Sequence, residues 1–161
     1  MRKSFARRMA LIVLLPAAFV GTVAVASPAQ AAPTTTQMQS AIVAATNVAR
    51  ARAGCAAVRL DANLARAARN HSAWMAQTGT FSHVGSGGSS FATRVRATGY
   101  ASPQSENIAW GYRTGDAVVE AWMKSPGHRA NIVNCAAKAQ GVGVSYQANG
   151  TPYITQEFGS R

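Results

Sequence analysis

Glu120 to Cys135 reads EAWMKSPGHRANIVNC, and the fold turns on how this stretch is read. It begins as a helix and breaks at Ser125-Pro126-Gly127, because the residue before a proline is pushed out of the helical region. Directly behind the break stand His128 and Arg129, and the stretch closes on one of only two cysteines. Such a break holds an imidazole at an element boundary, where groups from elsewhere in the chain can meet it. The candidates to meet it are His83 and Glu106.

Working outward, the first residues read as an export signal. Arg2, Lys3, Arg7 and Arg8 precede an apolar run from Ala10 to Val25, and Ala29-Gln30-Ala31 supplies the small-x-small cleavage pattern. The competing reading is a retained anchor, since a span needs about 17 residues or more; the cleavage pattern favours the signal. The expected organisation is a signal peptide at 1–31, a mobile leader at 32–36 and one domain over 37–161. The expected location is secreted and extracellular, with no membrane span after cleavage. Losing the four basic residues of the leader lowers the formal charge from +11 to +7. Arginines 50, 52, 59, 66, 69, 94, 96, 113 and 129 are scattered, and aromatic and basic residues do not alternate as a single-strand platform requires. A solvated basic surface is expected, and no nucleic-acid partner. Two cysteines in an exported chain are expected to pair. A Cys55–Cys135 bridge would close a loop of roughly 80 residues, for which chain entropy allows at most about 4–5 kcal/mol. Neither cysteine lies in a CxxC pair, which argues against a zinc ribbon or a redox site.

Met38, Ile42, Ala45 and Val48/Ala49 recur at helical spacing, and Gly54 is placed to end that helix. A second helix follows Asp61 as its cap, with Leu64, Ala67/Ala68, His71 and Trp74/Met75 on one stripe and Gly79 at the exit. Arg66, Arg69 and Asn70 fall off the stripe and face water. His71 reads as a packed core histidine ahead of a ligand. His83 lies in a loop bounded by Gly85, Gly87 and Gly88, where reactive side chains are commonly carried. A third helix is expected over 90–98, and 100–104 reads as irregular.

SENIAWGY at 105–112 alternates as a strand, with Glu106, Ile108, Trp110 and Tyr112 of one parity. A carboxylate entering an apolar face must be paired or shifted in pKa, unless it sits at an exposed strand end. Thr114 caps a fourth helix carrying Val118, Ala121/Trp122 and Ser125. Two closing strands are expected, over Val142–Tyr146 and Tyr153–Phe158, joined by a two-residue Asn149-Gly150 turn. Helices outnumber strands, so the fold class is α+β, a three-layer α-β-α sandwich with a small antiparallel sheet.

The chain has only three histidines and five acids, so few catalytic sets can be drawn. HExxH is absent. His83, His128 and Glu106 could supply the three protein ligands that catalytic zinc takes, though from three separate segments. Ser125 precedes His128 and Ser82 precedes His83, but no GxSxG elbow marks a serine hydrolase.

FSH at 81–83, SENIAWG at 105–111, Trp122 through SPGHRANI at 125–132, GVGV at 141–144 and QEFG at 156–159 occur in that order. Together they resemble the bacterial branch of the CAP superfamily (cysteine-rich secretory, antigen 5 and pathogenesis-related proteins), over nearly all of the chain from about residue 36 to 159. The resemblance implies an α-β-α sandwich with an open cleft lined by two histidines and two acids. His83 stands for the first histidine, Glu106 for the first acid and His128 for the second histidine. The second acid of eukaryotic relatives falls at Ser125, so the tetrad is incomplete here. Glu120 cannot replace it, being five residues away and roughly 140° round the helix. It is placed instead to pair with Lys124, a contact worth about 0.2–0.5 kcal/mol.

The family's cleft is associated with divalent metals, with sterols or other lipids, and in a few members with proteolysis. One carboxylate fewer implies a weakly bound divalent metal, zinc first, with water at open positions. The expected function is a ligand- or partner-binding module of monomeric state. Its partner would be an apolar small molecule, a cell-wall component or a protein. The alternatives are a secreted metal-dependent hydrolase using Glu106 as base, and a cationic surface-active defence protein.

Overall fold

A computed structural model describes residues 32–161; the export-signal reading of 1–31 lies outside the described residues. Helix α1 spans Thr35–Arg52 and starts earlier than its apolar spacing indicates. Thr34 accepts from the Gln37 amide while the Gln37 side chain returns to Thr34, a reciprocal cap that draws Thr35 and Thr36 out of the expected leader into the helix. Helix α2 (Ala62–Thr78) begins on Asp61, which accepts from Asn63 and Leu64, and ends at Gly79 with φ 69°. Helix α3 (Phe91–Ala97) starts on Ser90, and α4 (Gly115–Lys124) on Thr114.

The sheet holds β1 (Arg59–Leu60), β2 (Pro103–Trp110), β3 (Ala139–Tyr146) and β4 (Pro152–Gly159), in the order β1-β3-β4-β2. The three long strands are antiparallel as expected. The two-residue β1, too short to show any alternation, adds a parallel pairing to β3. Strand β2 begins at Pro103, inside the segment read as irregular, because its first residues are recruited by pairing with β4. The β3–β4 connection is longer than the expected two-residue turn. It runs from Gln147 to Thr151, closed by Gln147 N–H donating to Thr151 O at 2.9 Å.

One difference bears on the site. Pro126 does not merely stop α4; it starts α5 (Pro126–Ile132), taking the first helical position where its missing N–H costs nothing. His128 therefore sits in the first turn of a helix rather than in a turn. Cys55 and Cys135 form the disulfide, with Cα atoms 5.0 Å apart. Beside it lies Arg50, at 0% exposure, which corrects its place on the supposed solvated surface. Its Nε donates to Ala56 O, Nη1 to Ile132 O and Asn134 O, and Nη2 to Ala137 O, at 2.8–3.1 Å. The guanidinium thus ties α1 to the end of α5, where orphan carbonyls and the helix dipole favour a cation.

The apolar core lies on both sheet faces. Met38, Ile42, Val118, Trp122 and Ile132 pack with Val142, Ile154 and Phe158 on one face. Leu64, Ala67 and Val95 on the other adjoin Ala139, while Met75 meets Ile108 and Tyr153. Glycines set the spacing of the second face. A Cβ on Gly141 would stand 2.0 Å from the Ala65 nitrogen, and one on Gly143 2.2 Å from the Ala68 carbonyl carbon. The backbone of α2 therefore lies directly on β3, and every residue carried by α2 takes its height above the sheet from that contact. Gly143→Ala should destabilise the protein by about 3 kcal/mol, the upper end of ordinary overpacking, because rigid backbone has to move. An unchanged thermal melt for this variant would contradict the close packing.

Candidate functional site

Glu106 is the centre of the site. It is buried on the α2 face of β2, and both carboxylate oxygens are occupied. His83 Nδ1 lies 2.7 Å from Oε1, and since a carboxylate only accepts, Nδ1 carries the proton. Arg94 Nη2 donates to Oε2, while Nη1 donates to His83 O at 3.0 Å and Ser89 O at 2.8 Å. One guanidinium from α3 thus holds both the carboxylate and the loop that carries His83. Arg94 is a second arginine that leaves the expected solvated surface.

The sequence reading missed Glu157. It sits directly across from Glu106 in the β2–β4 register and is fully buried. Burial, followed by the charge of Glu106, pushes the Glu157 carboxyl well above the usual range, which favours its neutral form, and both its oxygens are buried without a hydrogen-bond partner among the described residues. For Glu106 burial acts in the same direction, but the hydrogen bond from His83 and the charges of Arg94 and His71 outweigh it and hold its pKa down. Of the two carboxyls opposed in register, the charged form is favoured on Glu106, which has His83 and Arg94 as partners. A signal for Glu157 was present: a carboxylate inside the apolar strand Tyr153–Phe158, the same argument applied to Glu106.

His71 is the packed histidine expected. Its Nε2 donates to Ser82 O at 2.9 Å, its ring stacks on Trp74 at 5.6 Å, and burial above all lowers its pKa. It stands 3.9 Å from Glu106 Oε2, beyond hydrogen-bond reach.

His128 and Ser125 stand on α5 and its cap. Ser125 Oγ lies 3.0 Å from His128 Nδ1, and the imidazole lies against Trp122 with ring centroids 6.4 Å apart. Burial, with the charge of nearby His83 adding to it, lowers the His128 pKa. Among the described residues no acid orients this serine–histidine pair. Both residues line a cavity of about 320 Å³ walled by Phe81, Trp110, Tyr112 and Trp122. Glu120 is turned to solvent and accepts from Lys124 Nζ at 2.6 Å, which leaves Ser125 facing the cleft.

Side-chain donors anchor the α4–α5 unit to the free edge of β2. Trp122 Nε1 donates to Ile108 O at 3.0 Å, and Asn131 Nδ2 to Glu106 O at 3.1 Å and Asn107 Oδ1 at 2.8 Å. Asn107 in turn donates to His128 O at 3.3 Å. These bonds set His128 relative to Glu106, and nothing in the periodicity of the sequence marks Asn131 for the role. Among the described residues no three His, Cys, Asp or Glu side chains gather as a metal-holding group, so His83, Glu106 and His128 do not form a three-ligand cage.

Residues 43–158 match the cysteine-rich secretory protein family, CAP. The chain belongs to the CAP family. It is 36% identical over 124 residues to the uncharacterized membrane protein YlbC of Bacillus subtilis (strain 168), covering 76% of this chain and 34% of that protein. The crystal structure of an extracellular protein containing an SCP domain from Bacillus anthracis str. Ames superposes with a TM-score of 0.72 at 27% identity. The match covers 79% of this chain and 41% of that one. An outer surface protein from Borrelia burgdorferi shares the fold, with a TM-score of 0.72 at 19% identity, over 81% of this chain and 98% of that one. The chain thus spans well under half the length of the two Bacillus proteins. The α+β sandwich expected from the sequence is the CAP fold, and no helix among the described residues is long and apolar enough to cross a membrane.

In this CAP domain the buried Glu157 carboxyl has a measurable signature. Because the folded-state pKa of Glu157 is raised, its contribution to stability is full below the unfolded value of about 4.3 and is lost as pH rises towards the folded value. Glu157→Gln puts a neutral side chain of the same shape at this position and removes that loss. The variant should melt higher than the wild type at pH 7, with the difference shrinking at pH 4. Asn131→Ala, which strips two buried acceptors of their donor, should cost about 1–3 kcal/mol in denaturant titration.

Proposed function

We propose that the chain is an exported CAP domain that acts as a binding module, taking an apolar small molecule or an apolar part of a wall component into the cleft beside His128. The observation that carries this reading is the aromatic wall. Trp110 is 54% exposed, Phe81 50% and Tyr112 38%, all at one cavity. Large apolar side chains left exposed together mark binding surfaces rather than packing. The signal-like pattern read in the sequence of residues 1–31 and the extracellular description of the Bacillus anthracis relative support the location.

The same geometry weighs against the metal-dependent hydrolase. Glu106 would have to serve as its base, yet both its oxygens are engaged by His83 and Arg94. Glu157 is buried, and burial favours its neutral form. A general base needs a free oxygen within reach of the proton it takes.

The donors present fit an open divalent-metal site of two imidazoles rather than a closed one. With the proton on Nδ1, His83 offers Nε2, and Glu106 behind it orients the ring in the manner of a carboxylate–histidine–metal arrangement. His128 supplies the second imidazole, with Ser125 on its other nitrogen. A bound zinc would add a polarising charge at the cleft. Glu106 would serve as the orienting carboxylate behind His83, and water would take the remaining positions on the metal.

Calorimetric zinc titration should give heat for the wild type, none for His83→Ala/His128→Ala, and occupancy that falls on acidification, His128 holding its neutral form to lower pH because burial lowers its pKa. Equal heats for both proteins would eliminate the metal site while leaving the apolar cleft standing. The cleft is tested separately: Trp110→Ala should reduce binding of an apolar fluorescent probe several-fold without shifting the melt.

A further inference from the structure

The lining of the aromatic cleft divides into two kinds of surface. Phe81, Trp110 and Tyr112 supply exposed aromatic rings, and Ser125 and His128 supply polar side-chain groups. No carboxylate, lysine or arginine is among the lining residues.

The polar pair works in either direction. Ser125 Oγ lies 3.0 Å from His128 Nδ1, and either atom can donate. With the imidazole neutral and the hydroxyl donating, Nε2 carries the ring proton and the serine oxygen keeps a free lone pair. With Nδ1–H donating, the serine proton is free and Nε2 accepts. Both arrangements leave one donor and one acceptor for a ligand.

The aromatic rings are not closed over. Phe81 and Trp110 keep half of their surface in water, whereas an enclosing pocket buries about 70–90% of a small ligand. An acyl chain gains in proportion to the area taken out of water, and it offers Ser125 and His128 no hydrogen bond. The lining matches an uncharged ligand with one flat apolar face, hydroxyls at its rim and a continuation into solvent.

We propose that the cleft holds a neutral pyranose unit of a polysaccharide strand, its C–H face stacked on Trp110 and its hydroxyls bonded to Ser125 and His128. The proposal rests on the reading of this cleft as a binding site, and it names the part of a wall component that enters. The C–H hydrogens on a pyranose face are weakly positive and meet the negative face of an aromatic ring. A hydroxyl is at once donor and acceptor, so it satisfies the serine–histidine pair in both of its proton arrangements. The open walls leave room for neighbouring units of the strand.

The test is a titration of the purified protein with soluble β-linked oligomers of glucose and of N-acetylglucosamine. A chelator keeps metal off His128, and binding is followed by NMR and by displacement of the apolar fluorescent probe. At least one oligomer should bind, shift the Trp110 indole and His128 ring signals, and displace the probe. Trp110→Ala should weaken that binding at least about tenfold, or roughly 1.4 kcal/mol. The Ser125 side chain makes no cap bond to α5, so Ser125→Ala should keep the wild-type melt. It should weaken the oligomer several-fold, and more than it weakens the probe. Probe binding with neither oligomer bound, oligomer shifts away from Trp110 and His128, or an oligomer affinity indifferent to both substitutions would each overturn the sugar and leave the apolar cleft standing. Failure of the probe together with both oligomers would overturn the two readings at once.

Discussion

A carboxylate buried on a sheet face has to be met by donors, and the need to satisfy Glu106 organises one side of this molecule. His83 comes to it from the loop after α2 and Arg94 from α3, while Glu157 stands opposite it on the neighbouring strand. Arg94 then spends its other nitrogen on the His83 loop, so the carboxylate and the imidazole are held by one group. Removing any member leaves a buried charge or acceptor unmet, which is the costly direction for such networks. The glycines of β3 serve the same end, since they let α2 lie close enough to carry His71 and the loop beyond it to this level.

The second half of the cleft is built differently. His128 rides on a short helix whose position is set by hydrogen bonds to the β2 edge and by Arg50 at its far end. The disulfide beside Arg50 holds the same exit from the chain's other side. One histidine therefore belongs to a charged, buried network, and the other to an edge-docked helix with an aromatic wall. A site assembled from two separately supported halves can hold a ligand between them, whereas its one ionised carboxylate is already engaged. That contrast favours binding over turnover.

Much of the fold was legible because its elements carry local signals. Asp61 and Gly79 bracket α2, Thr114 caps α4, and strict alternation marks β2 and β3. The site residues His83, Glu106 and His128 were legible for another reason: so few ionisable groups exist that little else could be drawn. Where a signal was short or shared, reading failed. Pro126 serves equally to stop one helix and to start the next, and only packing of Ile132 into the core selects the second. Thr35 and Thr36 joined α1 through a cap that apolar periodicity does not record.

By itself the sequence determined the family, the helical faces, the cysteine pair and the residues available for chemistry, since each depends on local pattern or on scarcity. Only the tertiary structure decided which of them work together. Glu157 came to face Glu106 because strand register placed two carboxyls opposite each other, and register is a long-range property. Arg50 became a buried structural cation and Arg94 a partly buried one because carbonyls and a carboxylate from distant segments converged on them. The parallel pairing of β1 with β3 is likewise invisible to local pattern, because a two-residue strand leaves no periodicity to read.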